Sequence, residues 1–188
     1  RDTITTGWQK LDEITGGGGG RGELGVVIAP TGVGKSMVLV HLGATALKAG
    51  MTVVHYTFEL RDTVIANRYD SCITGIKLDD LMDNKDEIHK ALKDVDGTLI
   101  IKEFPTKTAT TNTIRAHLEK LKQQSIVPDM IIVDYADLLR TLSTRREKRE
   151  ELETIYEDLR AIMMENKVVG WTASQTNRTG LQAEIITM

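Results

Sequence analysis

Apolar residues fall along this chain in two spacings. Short, almost continuous apolar runs at Leu24 to Ala29, Thr52 to Phe58, Thr98 to Glu103, Met130 to Asp134 and Val168 to Ser174 alternate with longer stretches in which apolar positions recur every three or four residues. The short runs match strands buried on both faces. Their alternation with helical stretches predicts an α/β fold, a mainly parallel five-stranded sheet with helices on both faces. Helices are predicted from about Lys35 to Ala49, Asp62 to Thr74, Asp79 to Leu92, Thr111 to Gln124 and Glu147 to Asn166. Gly50 suits the left-handed turn after the first, and the fourth ends before Pro128. On the last, Leu152, Ile155, Tyr156, Leu159, Ile162 and Met163 form a stripe that reads as a core face rather than a cofactor site. The run Gly16 to Gly20 is too flexible for an element interior and reads as a loop into the first strand. No internal repeat or linker divides the sequence. A single domain over residues 1–188 is expected, with 1–23 as lead-in and glycine-rich loop.

Composition agrees with that size of core. The 188 residues are 40% hydrophobic, enough for one compact domain. Arg1-Asp2-Thr3 leads into a polar stretch unlike a secretory signal, and no apolar run approaches the roughly 20 residues of a membrane helix. A cytoplasmic protein with no membrane partner is expected. The single cysteine, Cys72, excludes an internal disulfide and reads as a small core residue, and no Cys/His cluster has metal-ligand spacing. A net charge of −3 lacks the basic excess that would by itself suggest nucleic-acid binding, so any such contact must come from a local patch.

One stretch changes the picture. Ala29-Pro30-Thr31-Gly32-Val33-Gly34-Lys35-Ser36 follows a predicted buried strand and opens a predicted helix, which is the context a phosphate-binding loop requires. The glycines let backbone N–H groups approach phosphate oxygens, and the helix N-terminus adds partial positive charge. Lys35 is expected to reach the terminal phosphates of ATP and Ser36 to ligate Mg2+; Pro30, Thr31, Gly32, Val33, Gly34, Lys35, Ser36 and Met37 form the expected nucleotide-binding set. Ala29 replaces the motif's first glycine, a mild departure where the strand ends.

Three further residues sit at carboxyl ends of predicted strands, where parallel sheets face their ligands. Asp134 closes Met130-Ile131-Ile132-Val133 and can hold magnesium through its waters and the Ser36 hydroxyl; alone, it is equally a simple strand terminus. Glu59 closes the second strand, either as the group that orients or deprotonates an attacking water or as an acid at the N-terminus of the next helix. Gln175 follows the last strand, either reporting the terminal phosphate through its amide or lying exposed in a loop. Arg145, Arg146, Lys148 and Arg149 can contact a phosphate backbone, or can form salt bridges with Glu147, Glu150, Glu151 and Glu153 at a solvated helix start.

Read together, the pieces become selective. Thr6-Gly7-Trp8 through Leu11-Asp12, Arg21-Gly22-Glu23-Leu24, the phosphate loop, Phe58-Glu59-Leu60, Arg68, Thr110 to Arg115, Asp134-Tyr135, Arg145 to Glu151 and Ser174-Gln175-Thr176-Asn177-Arg178 occur in an order that resembles the DnaB-like replicative helicases over nearly the whole chain. The resemblance implies a RecA-like ATPase motor, a homo-oligomer in the form of a hexameric ring, that pulls single-stranded DNA through its centre. It implies Glu59 as catalytic base, Gln175 as sensor of the terminal phosphate, and a last strand lying between the phosphate-loop strand and the Asp134 strand. The loops after Asp134 and Gln175 resemble the family's DNA-facing loops, which makes Arg140, Arg145, Arg146 and Arg178 candidate contacts.

The family also carries an N-terminal domain, and beyond the sensor strand a segment bearing an arginine finger that completes the neighbouring subunit's site. Neither is found within residues 1–188, so a truncated chain that binds nucleotide and hydrolyses it poorly by itself is expected. Two other activities fit the same core: a RecA/RadA-like recombinase or loader that uses ATP as an assembly switch, and a KaiC-like regulatory ATPase acting on protein partners.

Overall fold

The computed structural model describes residues 2–141 and 148–176. In chain order these form β1 (Thr3–Ile4), α1 (Gln9–Thr15), β2 (Gly19–Gly20), β3 (Leu24–Ala29), α2 (Lys35–Lys48), β4 (Thr52–Thr57) and α3 (Asp62–Thr74). A 3-10 helix (Leu78–Asn84) then leads into α4 (Lys85–Leu92), β5 (Thr98–Glu103), α5 (Thr111–Gln123), β6 (Met130–Asp134), α6 (Lys148–Asn166) and β7 (Val169–Gln175).

Among the described residues, five strands make one parallel sheet in the order β3-β7-β6-β4-β5. β7 therefore separates the phosphate-loop strand β3 from β6, as the resemblance implies. Side chains on a strand alternate between faces, so the central strand feeds two cores. Ile131 and Val133 join Ile114, Leu118, Leu159 and Ile162 on the α5/α6 side. Met130 and Ile132 join Leu39, Leu42, Ile65 and Tyr69 on the α2/α3 side. Each fully buried Leu or Ile contributes about 1.5–3 kcal/mol of transfer free energy, which makes these two layers the main support of the sheet.

Three expectations need correction. β6 is buried along its whole length, but β3 and β5 are the sheet's two edges. On β3, Val26 and Ile28 stay 38% and 41% exposed because one face of this edge strand is left uncovered. The predicted helix Asp79 to Leu92 is broken at Asn84, whose side-chain amide donates to the Asp80 carbonyl at 2.8 Å and so competes with regular helix hydrogen bonding.

The glycine run, finally, is partly a strand: Gly19 and Gly20 pair antiparallel with Ile4 and Thr3. A Cβ on the preceding Gly18 would lie 2.1 Å from the Ile4 carbonyl oxygen, so a side chain cannot fit where the two backbones meet. Helix α1 was not anticipated, and it explains the Thr6-Gly7-Trp8 to Asp12 motif. The Asp12 carboxylate accepts hydrogen bonds from the Thr6 N–H (2.8 Å), the Thr6 hydroxyl (2.6 Å) and the Thr5 hydroxyl, folding α1 back over the fully buried Thr6. Cys72 is half-buried against the α2/α3 core.

Candidate nucleotide-binding site

The loop between β3 and α2 turns on two glycines. Gly32 and Gly34 have φ of +81° and +94°, the left-handed region that L side chains rarely adopt, and a Cβ on either would meet nothing within 4 Å. Backbone conformation rather than crowding thus demands glycine here, leaving the loop's inner surface open to a ligand. Helix α2 starts without a side-chain cap, so its first N–H groups remain available to an anion. Lys35 bends back over the loop: its ammonium donates to the Ala29 and Pro30 carbonyls at 3.2 and 3.0 Å and lies 5.8 Å from the centre of the Tyr135 ring.

Ser36, on the first turn of α2, meets the end of β6. Its hydroxyl donates to Asp134 Oδ1 at 3.1 Å, and Asp134 is only 4% exposed. A hydroxyl and a carboxylate are hard oxygen donors, the chemistry magnesium selects. Among the described residues no group of three or more His, Cys, Asp or Glu side chains could hold a metal by itself. Magnesium commonly takes one or two protein oxygens and completes its shell with phosphate and water. Ser36 and Asp134 would hold it.

Opposite the loop, Glu59, Leu60, Arg68, Tyr135 and Gln175 close a cleft of about 330 Å³ together with Thr31, Gly32, Gly34, Lys35, Ser36 and Met37. The N-terminus of α3 is served by Glu103, whose carboxylate accepts the Asp62 N–H at 3.1 Å, while Glu59 is exposed on the cleft wall. Burial, followed by the charges of Glu59, Asp137 and Asp134, raises the Tyr135 hydroxyl pKa, so this ring stays neutral beside Lys35.

Gln175 reaches the loop directly, its side-chain amide donating to the Thr31 hydroxyl. Its own backbone is held from behind by Asp137, a residue that motif reading passed over. The Asp137 carboxylate accepts from the Gln175 N–H (3.0 Å), the Tyr156 hydroxyl (2.8 Å) and the Ser174 hydroxyl (3.1 Å). The available signal was its position, three residues beyond Asp134 in the turn that follows β6. Tyr156 belongs to the predicted core stripe, and its hydroxyl end is what reaches this carboxylate.

Of the residues expected to contact DNA, Arg140 is exposed, its N–H donating to the Ala109 carbonyl at 3.0 Å beside the N-cap of α5. Arg145, Arg146 and Arg178 lie outside the described residues. Among the described residues, no helix is long and apolar enough to cross a membrane.

Comparison with known proteins follows the same lines. The model of the DnaB-like helicase C terminal domain family matches residues 3–184. A DnaB-like replicative helicase of Enterobacteria phage T4 is 34% identical over 190 residues, covering 95% of this chain and 40% of that protein. The replicative DNA helicase DnaB of Leifsonia xyli subsp. xyli is 27% identical over 183 residues, covering 93% of this chain and 39% of that protein. The chain therefore spans about 40% of the length of these curated relatives. A solved DnaB-like replicative helicase, described with its interactions with primase, superposes with a TM-score of 0.82 at 16% identity, covering 98% of this chain and 46% of that one. A second solved structure, described as an ATPase domain, gives 0.81 at 16% identity, covering 97% of this chain and 67% of that one. At that identity the two structures speak for the fold.

Proposed function

Because the chain belongs to the DnaB-like helicase C-terminal domain family, we propose that it is the ATP-hydrolysing motor core of a replicative helicase, working as a hexameric ring that translocates on single-stranded DNA. One observation carries the reading: the phosphate loop, the Ser36–Asp134 pair, Glu59 and Gln175 come from the ends of four different strands and meet around one cleft.

In this reading ATP lies along the loop with its phosphates on the backbone N–H groups of residues 32–36. Lys35 leaves the Ala29 and Pro30 carbonyls and turns its ammonium to the outer phosphates, a short swing for a flexible stem. Ser36 and Asp134 would hold magnesium, which would supply positive charge against the phosphates. Glu59, which lines the cleft while Glu103 accepts from the start of the helix behind it, is proposed to align a water and accept its proton. Gln175 is proposed to exchange its bond to Thr31 for one to the terminal phosphate, and Arg140, Arg145, Arg146 and Arg178 are proposed as contacts to DNA. A neighbouring subunit is proposed to complete the cleft with an arginine.

The test is ATP hydrolysis by the full-length protein with and without single-stranded DNA. Stimulation by DNA is expected; equal rates would count against a DNA motor and favour an ATPase that acts on other partners.

A further inference from the structure

Behind the metal-side carboxylate lies a buried histidine that no step above uses. His55 is 0% exposed in the middle of β4, and its Nε2 lies 3.7 Å from Asp134 Oδ2. Neither atom has a hydrogen-bond partner among the described residues, although both are buried. Two buried unpaired polar atoms are costly apart, and small adjustments that brought them together would satisfy both. On its other side, His55 Nδ1 lies 2.9 Å from the Tyr69 hydroxyl. Burial, reinforced by the Asp134 charge, raises the Tyr69 pKa and keeps its proton in place. A hydroxyl that donates to Nδ1 leaves the ring proton on Nε2, aimed at the carboxylate; the opposite tautomer would aim a lone pair at it. The packing makes room for this contact: a Cβ on Gly43 of α2 would lie 2.1 Å from the Tyr69 hydroxyl, so only glycine at that position lets the tyrosine reach.

We propose that His55, oriented by Tyr69, is a positioning residue for Asp134: it holds Oδ2 from behind so that Oδ1 stays turned to Ser36 and the metal side of the cleft. The terminal torsion of an aspartate is broad and nearly two-fold, so one hydrogen bond from Ser36 leaves its second oxygen unanchored. A donor on Oδ2 removes that freedom and keeps the metal-binding geometry formed before nucleotide arrives.

The proposal rests on the reading of Asp134 as the metal-side carboxylate, and the experiment separates the two. With full-length protein and a fluorescent ADP analogue, nucleotide binding is measured across a Mg2+ titration and again in EDTA. His55→Leu and Tyr69→Phe are expected to raise the half-saturating Mg2+ concentration about tenfold, the lower end of what outer partners of metal ligands supply, with binding in EDTA unchanged. His55→Gln, which retains a donor near the Nε2 position, is expected to stay near wild type. Should His55→Leu not fold, Tyr69→Phe, which deletes a single oxygen, decides the question. An unchanged Mg2+ dependence in Tyr69→Phe, or an equal loss of binding in EDTA, overturns the positioning role. An unchanged Mg2+ dependence in Asp134→Asn overturns the reading beneath it as well.

Discussion

The Asp137 carboxylate accepts a hydrogen bond from the backbone N–H of Gln175 at 3.0 Å, so the turn after β6 fixes the tip of β7 next to the phosphate loop. The same carboxylate takes the Tyr156 hydroxyl at 2.8 Å and Ser174 at 3.1 Å, which ties that tip to α6 as well. A side chain meant to report one phosphate oxygen needs such a fixed base, since an amide displaced by an ångström no longer reads it.

Asp137→Ala is therefore expected to spare nucleotide binding while lowering DNA-stimulated turnover. The loss should be about 10- to 100-fold, the scale of a small misplacement near reacting atoms. Parallel nucleotide titrations and turnover assays on the full-length protein check it; a variant that loses affinity and turnover together would show that Asp137 merely supports the loop.

Lys35 and Glu59 should separate binding from chemistry. Lys35→Ala removes the ammonium that bends over the loop, and is expected to abolish nucleotide binding or turnover. Glu59→Gln keeps shape and hydrogen-bonding capacity and is expected to bind nucleotide normally while turnover falls by about 10²- to 10⁴-fold, the usual contribution of a positioned base. Normal turnover in Glu59→Gln would remove it from that role.

The central strands were legible because burial on both faces leaves them mostly apolar, as in Met130-Ile131-Ile132-Val133, although His55 and Thr172 are buried among them. Residues at strand ends were legible as candidates for the same reason, as the first polar groups after an apolar run. Legibility failed where structure depends on contacts distant in sequence. The pairing of Gly19–Gly20 with Thr3–Ile4 rests on close backbone approach, which composition signals only as flexibility. Glu103, whose carboxylate accepts the Asp62 N–H at the start of α3, lies 41 positions from that residue, so its place at the helix could not be read from the sequence. Asp137 and His55 carry no motif of their own. Their partners, Gln175 and Asp134, lie 38 and 79 positions away.

The glycine run gives a stability prediction. Gly18 has φ of +106°, and an added Cβ would sit 2.1 Å from the Ile4 carbonyl oxygen, a backbone atom that cannot rotate aside. Gly18→Ala is expected to destabilise the fold by about 1–3 kcal/mol through overpacking alone, with the left-handed backbone adding to it. Chemical unfolding with urea checks this, and an unchanged midpoint would mean that β1 and β2 are not paired in solution.

The last prediction concerns pH and the closure over Thr6. Burial by itself would raise the Asp12 carboxyl pKa, but the hydrogen bonds donated by Thr5 and Thr6 outweigh it and hold the group below its ordinary value of 3.8. A carboxylate whose folded-state pKa is depressed adds stability that is fully present above the unfolded value. That stability is lost as pH falls through the folded value, because the unfolded chain takes up the proton first. Asp12→Asn cannot carry the charge, so wild type should exceed it in stability by a constant margin at neutral pH. The margin should begin to shrink near pH 3.8 and close below the folded-state value. Urea midpoints of the two proteins, measured in steps from neutral to acid pH, test this. A margin that does not change with pH would mean that Asp12 holds Thr5 and Thr6 by shape and not by its charge.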